Sequence, residues 1–298
     1  YVWCTTSQKM LLRDKLKYNE GLIKVLFEVI DNAIDNSFRS PDPTTVIDVS
    51  LKDGVFTVRN NGAGIPVEKL DSNDLYIPTT VFGLLRSGSN FNEDRNSIGM
   101  FGLGVKLTNI LSKSFSVTCN DAKNGVVFTQ QWTDNMKNRG NEKIKKKANL
   151  DKAKYSTVVT VEPDLEYFNK SESECTIDTL DELSEIIHTR LVQVSVSHPN
   201  PIKIYFNGSV IKYKGIKSYM KLFTDEKTFY DSVSADFEYG VTLSPDGVFT
   251  HQSFVNCQRT TSDNSTHTKY VRGAITNAVA AHLKLSLIHI SEPTRLRR

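Results

Sequence analysis

The sequence predicts a fold of the α+β class, and three stretches in the first third of the chain carry that prediction. An amphipathic helix covers residues 22–37, LIKVLFEVIDNAIDNS. Two short alternating runs, Val46–Leu51 and Val55–Arg59, flank Asp53-Gly54 and predict a β-hairpin. The segment GMFGLGVK at residues 99–106 precedes an apolar-periodic run and predicts a glycine loop that opens another helix. No parallel βαβ pattern surrounds that loop, so a dinucleotide-binding sheet is not indicated.

The composition is typical of a soluble globular protein and excludes several classes of function. The chain has 298 residues, of which 24% are charged and 39% hydrophobic, enough for one to three domains. No apolar run approaches the ~18 residues that span a bilayer, and no secretory signal is visible. The four scattered cysteines form no CxxC pair, so neither a zinc site nor a disulfide framework is predicted. We therefore expect a reducing, intracellular compartment. The net charge of +3 is too small to demonstrate nucleic-acid binding.

The helix at residues 22–37 carries a polar stripe on an otherwise apolar surface. Glu28, Asn32 and Asp35 are spaced four and three apart, which places them within roughly one quarter of the helix circumference. Taken alone, this stripe also fits a solvated polar face. The glycine-rich stretches that follow favour a ligand site instead.

Two glycine-rich stretches predict close approach of the backbone to a ligand. Asn60-Asn61-Gly62-Ala63-Gly64-Ile65-Pro66 follows a predicted strand directly, and its two glycines allow a sharp turn. Residues 99–106 have the spacing G-x-x-G-x-G, which is neither the Walker loop nor the Rossmann fingerprint. A glycine loop that opens a helix offers free backbone N–H groups and the positive end of the helix dipole, which suits phosphate.

The order of these motifs resembles the nucleotide-binding fold shared by gyrase, the mismatch-repair MutL proteins, the heat-shock chaperones and the sensor histidine kinases. Within that group, further stretches resemble the ATPase region of type IIA DNA topoisomerases over roughly residues 1–285. The branch of eukaryotes and large DNA viruses is more similar than bacterial gyrase. The stretches that carry this resemblance are FEVIDNAIDNS, NNGAGIPVE, VFGLLRSGSNF, GMFGLGVKLTNILS, QQWTDNM, TVVTVEPDLEYF and SFVNCQRTTSDNSTHTKYV.

The resemblance implies a fold and a domain organisation. We expect a GHKL (Bergerat) ATPase domain at residues 1–222, a two-layer α/β sandwich with a mixed sheet. A truncated transducer domain is expected at residues 223–285. Residues 286–298, SLIHISEPTRLRR, resemble vector or adapter read-through and are interpreted as a non-native tail.

The resemblance also implies the roles of individual residues. Glu28 matches the general base that polarises the attacking water, and Asn32 matches the Mg²⁺ ligand. Asn61 matches the residue that reads the adenine of ATP, with Thr157 beside it and Ile65 against the base. The remaining matches lie around the ribose, the phosphates and the lid loop: Asp35, Asn36, Ser89, Asn90, Gly99, Gly102, Gly104 and Lys106.

The second half of the chain contains further predicted elements. Strands are expected at residues 128–132 and 157–161, and a helix at residues 179–194. A hairpin is expected around Asn207-Gly208. Two strands are expected at 237–243 and 250–256, on either side of Pro245-Asp246-Gly247, and a helix is expected near 269–284. Residues 138–154 are interpreted as a lysine-rich loop, which is either merely solvated or a contact for DNA phosphates.

The resemblance implies an activity and partners. We expect this chain to bind and hydrolyse ATP with Mg²⁺. The full-length enzyme is expected to use ATP to pass double-stranded DNA. It is also expected to form a nucleotide-dependent homodimer and to have no contact with a membrane. The expected location is the nucleus for a eukaryote, or the host cytoplasm or viral factory for a virus. Alternatives are a MutL-like or chaperone-like ATPase, a sensor kinase, and a nucleotide-binding fragment without turnover. Because the chain begins past the expected exchange arm and its transducer is incomplete, we expect a mostly monomeric, poor ATPase.

Overall fold

A computed structural model describes residues 1–13, 18–39, 41–71, 73–84, 103–150, 153–170, 180–234, 237–244, 247, 249–260 and 265–283. The chain divides into two compact units, Tyr1–Thr242 and Leu243–Arg298. The division expected after residue 222 stays a prediction, and the tail at residues 286–298 lies outside the described residues.

The helices and strands of the described ranges alternate irregularly along the chain. The helices are α1 (Glu20–Asp35), α2 (Ile77–Gly83), α3 (Gly104–Ile110), α4 (Leu165–Lys170), α5 (Leu180–Ser197), α6 (Gly215–Met220) and α7 (Thr266–Leu283). The strands are β1 (Val2–Cys4), β2 (Lys9–Leu11), β3 (Val46–Lys52), β4 (Val55–Asn60), β5 (Ser112–Asp121), β6 (Val126–Thr133), β7 (Asn138–Arg139), β8 (Lys143–Lys146), β9 (Thr157–Pro163), β10 (Lys203–Phe206), β11 (Ser209–Val210), β12 (Thr228–Ser234), β13 (Phe237–Thr242), β14 (Ser253–Val255) and β15 (Gln258–Thr260).

A nine-stranded mixed sheet forms the centre of the first unit. Its strand order is β11-β10-β3-β4-β9-β5-β6-β7, and β8 also pairs with β6. All described neighbours in it are antiparallel except β10 and β3, which run parallel. Buried and half-exposed residues alternate along β3 and β5, so that one face of the sheet is covered and the other is open. The expected α+β class with a mixed sheet is confirmed.

The long helix α1 packs its apolar side against the covered face. Asn19 caps its first turn, since the Asn19 Oδ1 atom accepts a hydrogen bond of 3.1 Å from the Leu22 N–H. Leu26, Ile30 and Ile34 are completely buried. Burial of such a side chain is worth about 1.5–3 kcal/mol, and the polar stripe of the helix is consequently fixed in its orientation. The predicted helix at 22–37 is confirmed, with its last turn tightened to a 3₁₀ helix at Asn36–Phe38.

Two tight hairpin turns appear where the sequence predicts them. Asp53 and Gly54 have φ values of 51° and 78°, and Asn207 and Gly208 have 47° and 84°. Positive φ at both central residues matches the right-handed twist of the flanking strands, which explains the Asp-Gly and Asn-Gly pairs.

The structure differs from the sequence-based expectation in two places. Within the predicted loop at 138–154 it has the strands β7 and β8, which pair with β6. Strand β13 pairs with β12, whereas the predicted strand at 250–256 is reduced to β14, which pairs with β15. These pairings escape prediction because strand partners depend on the tertiary fold, and β8 has no apolar alternation.

The second unit contains the hairpin β14–β15 and the helix α7. The hairpin turn lies at Asn256 and Cys257, which both have positive φ, 48° and 62°. Across the described part of the chain, no helix has the length and apolar character needed to cross a bilayer.

Candidate functional site

The carboxylate of Glu28 lies at the junction of α1 and α3. Its Oε1 atom is 2.6 Å from Lys24 Nζ, one helical turn earlier. Its Oε2 atom lies so close to Gly104 that a Cβ atom built on that glycine would be 1.9 Å away. The Glu28 side chain remains 21% exposed, so water can reach it. The structure therefore brings the predicted base to the first residue of the helix that follows the glycine loop.

Helix α3 is held against α1 by a buried hydroxyl. The Thr108 hydroxyl donates to the Val25 carbonyl at 2.6 Å, and Thr108 is completely buried. Lys106, in the first turn of α3, is only 1% exposed. Burial disfavours its charged form and lowers the pKa of Lys106 to about 8.

The rest of the polar stripe extends from Glu28 towards the loop that begins at Asn60. Asn32 is exposed on α1, whereas Asp35 is buried. The Asn36 side-chain amide donates to the Thr44 hydroxyl at 2.9 Å and to the Ala63 carbonyl at 3.2 Å. The end of α1 is thereby bonded directly to the first glycine-rich stretch.

That stretch makes the close backbone contacts for which its glycines are needed. Gly62 has a φ of +86°, and a Cβ atom there would lie 2.6 Å from the Thr44 backbone nitrogen. A Cβ atom on Gly64 would lie 2.9 Å from the Asn120 carbonyl oxygen. The far end of the stretch is anchored by the Val67 N–H, which donates to the Asp121 carboxylate at 2.7 Å. Ile65, between these anchors, is half-buried.

The two asparagines at the start of the stretch have different surroundings. The Asn61 Oδ1 atom accepts hydrogen bonds from the Thr45 and Val46 N–H groups at 2.9 and 2.8 Å, and Asn61 Nδ2 donates to the Thr45 hydroxyl at 2.9 Å. The predicted contact of Asn61 with adenine stays a prediction.

Asn60, rather than Asn61, is the neighbour of Thr157 across the sheet. Asn60 pairs in register with Thr157 of β9, and both are largely buried. Its Nδ2 group donates to the Thr44 hydroxyl at 3.2 Å and to the Asn61 carbonyl at 2.9 Å. No residue in the described ranges donates to Asn60 Oδ1. Sequence reasoning missed Asn60, although the alternation of β4 was the signal that could have separated the two asparagines.

A buried ion pair between helices, also missed by sequence reasoning, lies behind the polar stripe. Arg190 of α5 donates from its Nη2 atom to Asp31 Oδ1 at 2.6 Å, and the two side chains are 4% and 5% exposed. Asp31 directly precedes Asn32, so the pair fixes the rotation of α1 about its axis. The partner could not be found by spacing, because 159 residues separate the two.

The structure thus brings several of the predicted site residues together in two groups of contacts. Glu28 and Gly104 are in contact, Asn36 bonds the loop that contains Ile65, and Thr157 adjoins the start of that loop. Four predicted residues lie outside the described ranges: Ser89, Asn90, Gly99 and Gly102.

Comparison with known proteins identifies the same region. The family model described as histidine kinase-, DNA gyrase B- and HSP90-like ATPase matches residues 19–140. DNA topoisomerase 2 of Trypanosoma brucei brucei is 35% identical over 232 residues, which cover 74% of this chain. The probable DNA topoisomerase 2 of Dictyostelium discoideum is 30% identical over 289 residues, which cover 94% of it. The chain spans only about 18% of the length of these two relatives.

Solved structures match over most of their length. The ATPase and transducer domains of DNA topoisomerase II from Balamuthia mandrillaris are 31% identical with a TM-score of 0.83, and the match covers 95% of this chain and 70% of that one. The ATPase region of topoisomerase II from Saccharomyces cerevisiae is 29% identical with a TM-score of 0.79, covering 95% and 73%.

Proposed function

The chain belongs to the ATPase region of the type II DNA topoisomerases, a nucleotide-binding region, and we propose that it binds ATP with Mg²⁺ and hydrolyses it with Glu28 as the general base. The observation that carries this proposal is the position of Glu28, whose carboxylate contacts the first residue of the helix after the glycine loop. A base there is within reach of water beside a phosphate held by that loop.

The proposed mechanism assigns proton transfer to one residue and charge stabilisation to several. Glu28 takes a proton from the attacking water. Lys106 and the backbone N–H groups at the start of α3 stabilise negative charge on the phosphates. Burial of Lys106 supports this role, because a lysine held in a dry environment interacts strongly with an anion.

The residues present fit Mg²⁺ bound through the nucleotide. No group of three or more His, Cys, Asp or Glu residues in the described ranges could hold a metal ion. Mg²⁺ usually keeps several waters and is bound by one or two protein oxygens together with substrate phosphates. The exposed Asn32, one turn after Glu28, supplies such an oxygen. When bound there, Mg²⁺ would neutralise charge on the phosphates.

For the adenine we propose Asn60 as the residue that reads the base, in place of Asn61. Its Oδ1 atom has no donor in the described part of the chain and can accept a hydrogen bond from the 6-amino group of adenine. Thr157, its neighbour in register, offers a second polar side chain beside it.

The substitution Glu28→Gln tests the proposal. We expect it to keep binding of a non-hydrolysable ATP analogue, measured as a thermal shift, and to lower the hydrolysis rate by about 10²–10⁴-fold. Glu20→Gln changes the same charge in the exposed first turn of α1 and is the matched control. Hydrolysis at the wild-type rate in Glu28→Gln would overturn the proposed base.

A second candidate is nucleotide binding with little turnover by this chain on its own. The chain spans about 18% of the topoisomerases it matches, so residues outside it are available to complete the reaction in a longer protein. We propose that the whole enzyme is a nucleotide-dependent homodimer that passes double-stranded DNA. A wild-type chain that binds the analogue but hydrolyses ATP far more slowly than a longer chain of the same enzyme would favour this candidate.

A further inference from the structure

The strand β8 concentrates the positive charge of the chain on one sheet edge. The segment of residues 122–150 contains seven Lys or Arg residues and two Asp or Glu residues, whereas the net charge of the entire chain is +3. The remaining residues therefore carry a net negative charge. We call Lys143, Lys145, Lys146 and Lys147 the basic edge, and all four are exposed.

The lysines of the basic edge lack the carboxylate partners that several other lysines of the chain have. Lys9, Lys69 and Lys113 each lie within 3 Å of a carboxylate oxygen. In the described ranges no carboxylate lies within ion-pair distance of any basic-edge lysine. Their charges are thus available to an external anion.

Three of the four lysines of the basic edge, Lys143, Lys145 and Lys146, lie in a hydrogen-bonded strand. Lys143 pairs with Thr129 and Lys145 with Val127, which places the two lysines on one face of the sheet. Alternate residues along a strand are about 6.6 Å apart, so the spacing of their backbones is set. The Lys147 N–H donates to the Gly125 carbonyl at 3.0 Å, so the turn that carries the exposed Lys123 adjoins the end of the edge.

These features suit a long, regularly charged and rigid polyanion. Lysines that are already ordered by strand pairing lose less conformational entropy on binding than lysines in a loop. Edge-strand lysines also have a simpler role, which is to prevent edge-to-edge pairing of sheets. That role would be met by any charge on the edge and does not account for the additional basic residues Lys123 and Arg139 beside it.

We propose that the basic edge is a docking surface for the phosphate backbone of duplex DNA. This inference rests on the proposed function, because a topoisomerase ATPase region in a whole enzyme is exposed to DNA. The contact is independent of sequence, since the lysines meet phosphates and not base edges. It lies on the sheet edge and uses none of the residues assigned to the nucleotide.

The test compares two triple variants of equal net charge. In the first, Lys143, Lys145 and Lys147 are changed to Gln. In the second, the paired lysines Lys9, Lys69 and Lys113 are changed to Gln. The affinity of each for a fluorescent duplex DNA oligonucleotide is measured between about 50 and 200 mM salt. The basic-edge variant is expected to lower the slope of log K against log salt by up to about 2.7, and the control variant to leave it almost unchanged.

Four readouts make the outcome decisive. Equal slopes for both variants would overturn the proposal, because only general charge would then be involved. Self-association of the basic-edge variant with an unchanged DNA slope would assign the lysines to edge protection instead. We expect polyglutamate to displace DNA equally well from the wild type and from the basic-edge variant. Binding of polyglutamate by the wild type, without binding of DNA, would also overturn the proposal. Thermal shift with the ATP analogue, expected to be equal in all three proteins, separates this result from failure of the proposed ATPase function.

Discussion

Glu28 lies so close to Gly104 that a Cβ atom at position 104 would be 1.9 Å from Glu28 Oε2, and a side chain there requires the carboxylate to move. The obstructed atom is the end of a flexible side chain, so Gly104→Ala should displace the carboxylate and leave the fold intact. We expect hydrolysis to fall about 10²-fold or more, as for a misplaced catalytic group, with little change in melting temperature.

Gly273→Ala is the matched control for that prediction, because nothing lies within 4 Å of a Cβ atom built on Gly273 in helix α7. Hydrolysis rates and melting curves of both variants are the measurements. A large fall in melting temperature with Gly104→Ala would show that the glycine serves packing and not the position of Glu28.

The two neighbouring asparagines should separate specificity from stability. Asn60→Ala should reduce the preference for ATP over GTP by about 3–10-fold, because guanine lacks the amino donor that Asn60 Oδ1 accepts. Asn61→Ala should leave that ratio unchanged and lower the free energy of unfolding by about 1–3 kcal/mol, because it removes bonds to Thr45 and Val46. Competition binding and urea unfolding provide the two quantities. The opposite pattern would assign recognition of adenine to Asn61 instead.

Removing one partner of the buried pair of Asp31 and Arg190 should lower the free energy of unfolding much more than replacing both partners. Arg190→Met removes the cation 2.6 Å from a carboxylate that is 5% exposed, and we expect a loss of about 3–5 kcal/mol in the free energy of unfolding. The double change Asp31→Leu and Arg190→Met should recover most of that loss. Urea unfolding measures both. A loss below about 1 kcal/mol in the single variant would mean that the pair does not hold α1.

Nucleotide affinity should fall with pH above 8. The pKa of Lys106 is lowered to about 8 by burial, and a bound phosphate favours the charged form and so raises it again. Binding then takes up a proton above pH 8, and the dissociation constant should rise with pH there by at most about tenfold per pH unit. The Lys106→Met variant should bind the nucleotide more weakly than the wild type at every pH, and its affinity should not change above pH 8. Titration in buffers of different ionisation heat detects the proton, and an equal pH dependence in both proteins would assign it to another group.

The sequence predicts features whose cause is local and misses those whose cause is distant. The Asp53-Gly54 and Asn207-Gly208 turns and the amphipathic α1 follow from neighbouring residues alone. Strand β8 was missed because its lysines have no apolar alternation, and only pairing with β6 makes it a strand.

Within the site, the same distinction separates the predicted residues from the missed ones. Glu28 and Gly104, which the structure brings into contact, each lie in a motif that the sequence alone marks as a candidate. Arg190, which holds α1 from behind, is 159 residues from its partner and has no motif of its own. The choice between Asn60 and Asn61 depends on which way each side chain leaves the end of β4, and the resemblance alone did not resolve it.

The parallel pairing of β10 with β3 has a consequence for the growing chain on the ribosome. Strand β3 offers Ile47, Val49 and Leu51 early in synthesis, but the strand that covers its free edge is made about 160 residues later. At about 5–20 residues per second, that edge stays open for roughly 10–30 s. An open apolar strand edge is a template for association with other chains. Each nascent chain is therefore most exposed to aggregation while β4 to α5 are being translated, and slower translation of that segment lengthens the exposure.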